Sequence, residues 1–365
     1  MGNKLRYGII GAGSMGREHI QNLKVMDGVE VTAIADPFKQ SQVEALTLAP
    51  DAKVFSDHNA LLNSGLVDAI IIATPNDTHF EILKDTLATD LAVFVEKPLA
   101  TTAADCKQIG EWGKARKALT WMGLEYRFMP PINEVIQRTK AGEVGNVHHL
   151  SIREHREPFY PKVDNWNRFT ERTGGTLVEK CCHYFNLMDL VAGEHATRVY
   201  ATGGQSVNFL DESYDGRKAD MLDSAYVILE YASGKRGLLD LCMFGEGSYD
   251  KEIFTVVGDE GKLESFLPSH NVRYSKRSEW GDASAWFAGG KGGSQSRIVL
   301  DHDVKYLGAH YGASYIEHLK FHKAVLEGSP AEVTLEDGIT SVATGLAAHK
   351  SIAEGRPVLL SEILV

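Results

Sequence analysis

The stretch RYGIIGAGSMG, residues 6–16, decides the fold of this chain. Arg6 to Ile10 form a mostly apolar run of strand length, and Gly11, Gly13 and Gly16 follow at G-x-G-x-x-G spacing. Each glycine answers a physical need. Gly11 permits a tight turn at the strand end, Gly13 lets the backbone approach a bulky anion, and Gly16 lets the next helix pack against the strand. That helix would aim its unpaired N–H groups at phosphates. Glycines alone also serve ordinary turns, but Asp36 closes VTAIAD (31–36), 20 residues after Gly16, where an acid bonds ribose hydroxyls. Strand, glycines, helix, strand and acid in this order predict a dinucleotide site that uses Gly11, Gly13, Ser14, Met15, Gly16 and Asp36. A carboxylate at Asp36 repels a ribose 2′-phosphate, so NAD is expected over NADP, with Lys39 nearby keeping NADP as the weaker alternative.

Outward from this unit, the chain as far as about Gly123 alternates apolar runs with amphipathic stretches. Strands are expected at 6–11, 30–36, 53–55, 68–74, 91–97 and 118–124, with helices around 14–26, 38–48, 78–88 and 102–116. Runs such as AIIIA and VFV are continuously apolar, as strands of a parallel sheet covered on both faces should be. The length of 365 residues suits two domains. We expect a doubly wound α/β Rossmann domain over 1–124 and a substrate-binding and oligomerisation domain over 125–365.

Beyond Tyr126 the pattern changes to alternating runs joined by glycine-containing turns, predicting an α+β domain on a large, mostly antiparallel sheet. YASGKRG and VVGDEGKLES read as hairpins. One helix is expected from about Gly175 to Val191, and two more at about 314–327 and 335–354. Residues 268–312, with GGKGGS at their centre, read as a long surface excursion serving as a lid or an oligomer arm.

Composition narrows the partners. Net charge is −11, from 38 basic and 49 acidic residues, and there is no basic run able to track nucleic acid. No apolar stretch approaches membrane-spanning length. Cys106, Cys181, Cys182 and Cys242 lack the spacing of a disulfide framework or zinc site. With no signal-peptide core at the start, a cytoplasmic protein is expected. Cys181-Cys182-His183 does not read as a metal centre, because adjacent helical residues point in different directions.

In an open α/β sheet the ligand crevice lies outside the carboxyl ends of the strands. Ala73-Thr74-Pro75-Asn76 and Glu96-Lys97-Pro98 both fall there. Lys97 stands out, since a lysine at a partly desolvated strand end can have a lowered pKa and shuttle a proton. Softer candidates for substrate contact are Tyr126 and Arg127, His155 and Arg156, and Trp166 with Arg168. They combine hydrogen-bond donors with a flat apolar face, and would equally suit a sheet surface or a subunit interface.

Taken together, GAGSMG, Asp36, ATPNDTH (73–79), EKP (96–98), GGTLVEKCCHYFNLMDLVAG (174–193) and TSVATGLAAHKSIAEGRPVLL (340–360) resemble the Gfo/Idh/MocA family over nearly the whole chain. The resemblance implies cofactor contacts that include Ala73, Thr74, Pro75, Asn76, His79, Glu96 and Lys97. It also implies a catalytic set of Lys97, Glu179 and His183, with Glu179 and His183 touching substrate. Spacing of i and i+4 would put those two on one helix face. Glu179 departs from the aspartate common in the family, and Lys180 beside it reads as a salt-bridge partner or an extra proton carrier. The expected activity is NAD-dependent oxidation of a secondary hydroxyl of a sugar, inositol or related polyol, or the reverse. The alternative is redox-neutral glycoside cleavage by transient oxidation and elimination; a non-catalytic sensing role is disfavoured because Lys97 and His183 are both present. The resemblance leans towards a homotetramer, with a dimer open.

Overall fold

The structure is a computed structural model and describes residues 4–280 and 293–364. Six strands, β1 (Leu5–Ile10), β2 (Val29–Ala35), β3 (Lys53–Phe55), β4 (Ala69–Ile72), β5 (Ala92–Glu96) and β6 (Thr120–Gly123), form one sheet in the order β3-β2-β1-β4-β5-β6. Every pairing in it is parallel. The helices between them are α1 (Ser14–Lys24), α2 (Lys39–Leu46), α3 (His58–Leu62), α4 (His79–Leu87) and α5 (Ala103–Ala115). Ile70, Ile71, Ile72, Val93 and Val95 are fully buried, which is why those strands read as continuously apolar. The short α3, capped by Asp57 accepting from the Ala60 N–H, has no counterpart in the sequence reading.

The second half comprises α6 (Pro130–Lys140), β7 (Val147–His155), α7 (Thr170–Thr173), α8 (Thr176–Glu179), α9 (Cys182–Ala192) and β8 (Ala196–Gly204). Then come a two-residue-strand hairpin of β9 (Ser213–Tyr214) and β10 (Arg217–Lys218), β11 (Ser224–Tyr231), β12 (Arg236–Cys242), β13 (Glu252–Gly258), β14 (Gly261–Leu267), β15 (Asn271–Lys276) and β16 (Ser294–Ile298). The chain closes with α10 (Ala313–Glu327), α11 (Leu335–Glu354) and β17 (Val358–Leu359). Nine of these strands make a sheet in the order β16-β15-β14-β13-β7-β12-β11-β8-β17, antiparallel except where β7 meets β12. Both expected hairpins are present, β11–β12 and β13–β14, the first turning through Gly234 at φ +87°. Alternation along β11 buries Ala225, Val227, Leu229 and Tyr231 and exposes Tyr226 and Ile228.

Two expectations change here. The supposed excursion at 268–312 contributes β15 and β16 to the sheet edge, because its alternating residues pair with β14 in register; most of GGKGGS lies outside the described residues. The single helix expected over 175–191 is two, α8 and α9, separated at Lys180 and Cys181.

The C-terminal helices clamp the halves together. α10 packs on α1, and α11 packs on α5, α8, α9 and β8. Gly110 and Gly113 of α5 lie against Ile339 and Leu335, where a Cβ would collide, so the two helices meet closely at the cost of helix propensity. Thr334 and Asp337 form a reciprocal capping box that starts α11, and the Met122 N–H donates to the Val333 carbonyl at 3.1 Å.

Candidate active site

The glycine loop is shaped from within and open outwards. Gly11 sits at φ +88°, and a Cβ there would lie 2.6 Å from the Ala73 carbonyl oxygen; one on Gly16 would strike the Gly11 carbonyl. A Cβ on Gly13 meets nothing within 4 Å. Gly13 is also the N-cap of α1 and supplies no side-chain acceptor, so the first-turn N–H groups face outward beside Ser14 and Met15. The carboxylate of buried Asp36 accepts from the Ala12 N–H at 2.7 Å and the Phe38 N–H at 2.8 Å, which pins it to the loop. Constrained glycines backed by protein, an open one facing outward, and an anchored acid fit a dinucleotide.

The ends of β4 and β5 stand beside this loop. Ala73, Thr74 and Pro75 are half-buried, whereas Asn76 is buried and donates to the Thr173 carbonyl at 3.1 Å and to a Glu179 carboxylate oxygen. His79 is fully buried, its ring nitrogens 2.8 Å from the Pro98 carbonyl and 3.1 Å from the Thr74 carbonyl. It joins the two strand-end segments from behind, a positioning contact. Glu96 is tied from its carboxylate to His19 Nε2 at 3.0 Å, and His19 Nδ1 lies 2.8 Å from His318 Nε2, a buried line from β5 through α1 to α10.

Lys97 crosses to the second domain. Its Nζ donates to the Glu179 carbonyl at 3.0 Å and lies 3.5 Å from Glu179 Oε1, with Lys162 Nζ 3.6 Å from the same oxygen. The break after α8 redistributes what one helix would have aligned. Glu179 faces Asn76 and the two lysines, while Lys180 turns to Glu154 at 3.0 Å and the Tyr126 hydroxyl at 2.5 Å. His183 stacks on the Tyr126 ring with centroids 4.1 Å apart and planes 13° from parallel. Its Nε2 is 3.8 Å from Glu125, and among the described residues its buried Nδ1 has no hydrogen-bond partner.

Electrostatics separate the roles. Burial opposes the charge on Lys97, but neighbouring acids, Glu179 foremost, raise it above an ordinary lysine. The lowered pKa expected for this lysine is therefore not found; it stays a cation. Burial would lift Glu179, yet Lys97 and Lys162 hold it below the usual carboxylate range. Burial, with help from Lys97 and Lys180, pushes His183 well below an ordinary histidine, so it is neutral and able to accept a proton. Burial raises Cys182 to about 12, leaving it a thiol.

A family model described as an oxidoreductase family, NAD-binding Rossmann fold, matches residues 5–124, and its C-terminal alpha/beta domain matches 136–360. The chain belongs to the Gfo/Idh/MocA oxidoreductase family. A similar protein is a myo-inositol 2-dehydrogenase of Thermotoga maritima, 29% identical over 361 residues that cover 99% of this chain and 100% of the relative. Among solved structures, a probable dehydrogenase from Thermotoga maritima has a TM-score of 0.77 at 28% identity, covering 98% of this chain and 100% of that one. A levoglucosan dehydrogenase in complex with NADH and levoglucosan has a TM-score of 0.86 at 20% identity over 98% and 100%, a likeness of fold. This Gfo/Idh/MocA chain is an NAD(P)-dependent oxidoreductase. Among the described residues no helix is long and apolar enough to cross a membrane.

The softer candidates scatter around this Gfo/Idh/MocA site. Tyr126 is in it, beneath His183. Arg127 turns away, its guanidinium held by Asn186 at 2.6 Å and Asp337 at 2.8 Å, where it ties the end of β6 to α9 and α11. Arg168 is buried against Glu212 at 2.9 Å and over Phe209. His155 pairs with Asp240 at 3.1 Å on the sheet, and Arg156 lies 3.6 Å from Glu154. Trp166 is buried with Lys162 above its ring at 4.6 Å.

Sequence reasoning passed over Glu125, Lys162, Glu154, Glu252 and His310. Glu125 follows β6 and was accessible to the same strand-end rule that selected Lys97. Lys162 lies in a stretch without periodicity, and His310 in the segment read as an excursion; neither carries a local signal.

Proposed function

We propose that this protein is an NAD-dependent dehydrogenase that oxidises a secondary hydroxyl of a sugar, inositol or related polyol, or reduces the corresponding ketone. The observation that carries the reading is a neutral, buried His183 and a cationic Lys97 gathered beside an open glycine loop at the carboxyl edge of the parallel sheet. Gly11, Gly13, Ser14, Met15, Gly16, Asp36 and residues 73–76 hold the cofactor; its nicotinamide, when bound, accepts the hydride. His183 takes the hydroxyl proton. Lys97 donates to the substrate oxygen, stabilising charge that builds there as the O–H bond breaks. Glu179 keeps Lys97 protonated and aimed. Asp36 favours NAD, because a 2′-phosphate would meet a buried carboxylate. The myo-inositol 2-dehydrogenase relative supports a cyclic polyol as substrate class.

The same reading extends to assembly as a homo-oligomer, dimer or tetramer. Its support is the outer face of the nine-stranded sheet, where Tyr200, Tyr226 and Ile228 are 42%, 58% and 41% exposed on adjacent strands.

Purified protein with NAD or NADP and a panel of inositols, aldoses and glycosides, followed at the reduced-nicotinamide absorbance with product analysis, tests the proposal. Signal growth with one polyol, greater with NAD than NADP, is expected. A flat trace while a glycoside is consumed would transfer the reading to redox-neutral cleavage.

A further inference from the structure

Oxidation of each hydroxyl leaves one proton behind, on a His183 that is only 2% exposed. Behind it stands Glu125, 3% exposed, in the turn after β6. One oxygen, Glu125 Oε1, is 3.8 Å from His183 Nε2 and 3.4 Å from His310 Nδ1. The His310 side chain keeps 20% of its surface. Its place is fixed from the cofactor domain, since the adjacent Ala309 N–H donates to Glu18 of α1 at 2.9 Å, and Ser314 Oγ lies 3.4 Å from His310 Nδ1. Two imidazoles, one buried and one partly exposed, thus flank the same carboxylate oxygen. Both gaps exceed a hydrogen bond by a few tenths of an ångström, and a small rotation of the carboxyl closes either.

The surroundings of Glu125 suit a group that gains and loses protons near neutrality. Glu96 and Lys97 face it from the end of β5, Lys180 from the α8–α9 break, His183 from α9, His310 from the loop before α10, and Glu317 from α10. Burial first, then the charge of Glu96, pushes Glu125 up to about 8 against the pull of Lys97 and Lys180. Its second oxygen is buried, with no hydrogen-bond partner among the described residues. A simple anchoring carboxylate would be expected to satisfy both oxygens.

We propose that Glu125 and His310 form the exit path for the proton that His183 takes from the substrate. This rests on the dehydrogenase reading above. The substrate O–H bond breaks as its proton passes to His183 Nδ1, and the imidazolium gives up the proton on Nε2 to the Glu125 carboxylate. The new carboxyl O–H then breaks towards His310, which burial holds down at about 3, so the imidazole carries the proton only in passing and releases it at once to water. No electrons travel this way; the C–H pair leaves as hydride for oxidised nicotinamide, so one ketone, one NADH and one proton appear per turnover. Glu125 and His310 act through His183 and are positioning and relay residues.

Stopped-flow mixing in weak buffer, following NADH absorbance and a pH indicator together, tests the path with the polyol that the wild-type protein oxidises. In wild type, proton release should keep pace with NADH. In Glu125→Gln and His310→Ala, first-turnover NADH should form while proton release lags by about a hundredfold or more, the low end of what a placed proton carrier contributes. Added imidazole should shorten the lag in His310→Ala. Variants in which protons and NADH appear together, or slow equally with no response to imidazole, overturn the path. Glu125→Gln nearly preserves side-chain shape, so it decides the matter if the alanine variant misfolds. Wild-type protein that forms no NADH with any polyol overturns the dehydrogenase reading and the path with it; wild-type NADH with no lag in either variant overturns the path alone.

Discussion

The Lys97 ammonium lies 3.5 Å from a carboxylate oxygen of Glu179 and donates at 3.0 Å to the same residue's backbone carbonyl. The two residues come from different domains, so the contact exists only when the sheet edge and the α8–α9 break are docked. It also keeps the lysine charged, while burial foremost keeps His183 neutral.

Replacing Lys97 with methionine keeps the volume and removes the charge. Turnover should fall by about 10²–10⁴-fold, the contribution of a placed acid–base or charge-stabilising group. NADH binding, read by fluorescence, should persist because the glycine loop and Asp36 are untouched. Undiminished turnover would remove Lys97 from the chemistry.

Lys180→Met should behave in the opposite way. The residue is 6% exposed and shared among Glu154, Glu252 and the Tyr126 hydroxyl, so its loss leaves buried carboxylates short of a cation. Stability should drop by about 3–5 kcal/mol in urea unfolding, as for other broken buried ion pairs. An unchanged midpoint would mean that this cluster is hydrated in solution.

The fingerprint glycines should separate cleanly. Gly13→Ala adds a methyl that touches no protein atom, so stability should stay within about 0.5 kcal/mol while NAD affinity falls. Gly11→Ala combines φ +88° with a contact to the Ala73 carbonyl and should cost about 1–3 kcal/mol before any cofactor is added. Thermal unfolding with and without NAD distinguishes them, and equal behaviour would mean that Gly13 does not face the cofactor.

Stability should peak near pH 6.5. His79, His183, His310, His318 and His349 are held below 6.5 by burial, His310 at about 3 and His349 at about 4. The unfolded chain binds more protons at these sites, so stability rises as pH climbs towards 6.5. Burial raises Glu125 to about 8 and Glu252 to about 7, and lifts Glu317 as well. There the folded state binds more protons, so stability falls as pH rises from 4.5, the ordinary glutamate value, through those folded values. The histidines dominate below 6.5; from there to about 8 the glutamates act in the opposite sense, joined by His195, which Asp189 raises above 6.5. Urea midpoints across that range should trace the fall, and Glu125→Gln should flatten it; a slope unaffected by the substitution would place the titration elsewhere.

The fold is legible along the chain where structure is decided by neighbours in sequence. Strand β1, its glycines and Asp36 were legible because a strand-to-helix turn around phosphate leaves few residue choices. Helices α10 and α11 and the Gly234 hairpin were legible for the same reason, through periodicity and turn chemistry. The excursion at 268–312 was misread because glycine and serine composition outweighed the short alternation in NVRYSK, which becomes a strand by pairing with β14.

By itself, the sequence determined a dinucleotide-binding parallel sheet, a following mostly antiparallel domain, and the residue types available for acid–base work. Only the tertiary structure decided which of them meet. Arg127 looked available for substrate but is taken by Asn186 and Asp337; Lys180 read as a salt-bridge partner or a proton carrier, and the packed domains bury it in an ion pair with Glu154. Glu179 and His183 were spaced for one helix face, and the break at Lys180 and Cys181 sends them to different neighbours. Glu125 and His310, 185 positions apart in sequence (310 − 125), share one carboxylate oxygen contact. The physical reason is common to all four: backbone periodicity is a local property, whereas the destination of a buried charge is set by whichever opposite charges and dipoles the packed domains bring within a few ångströms.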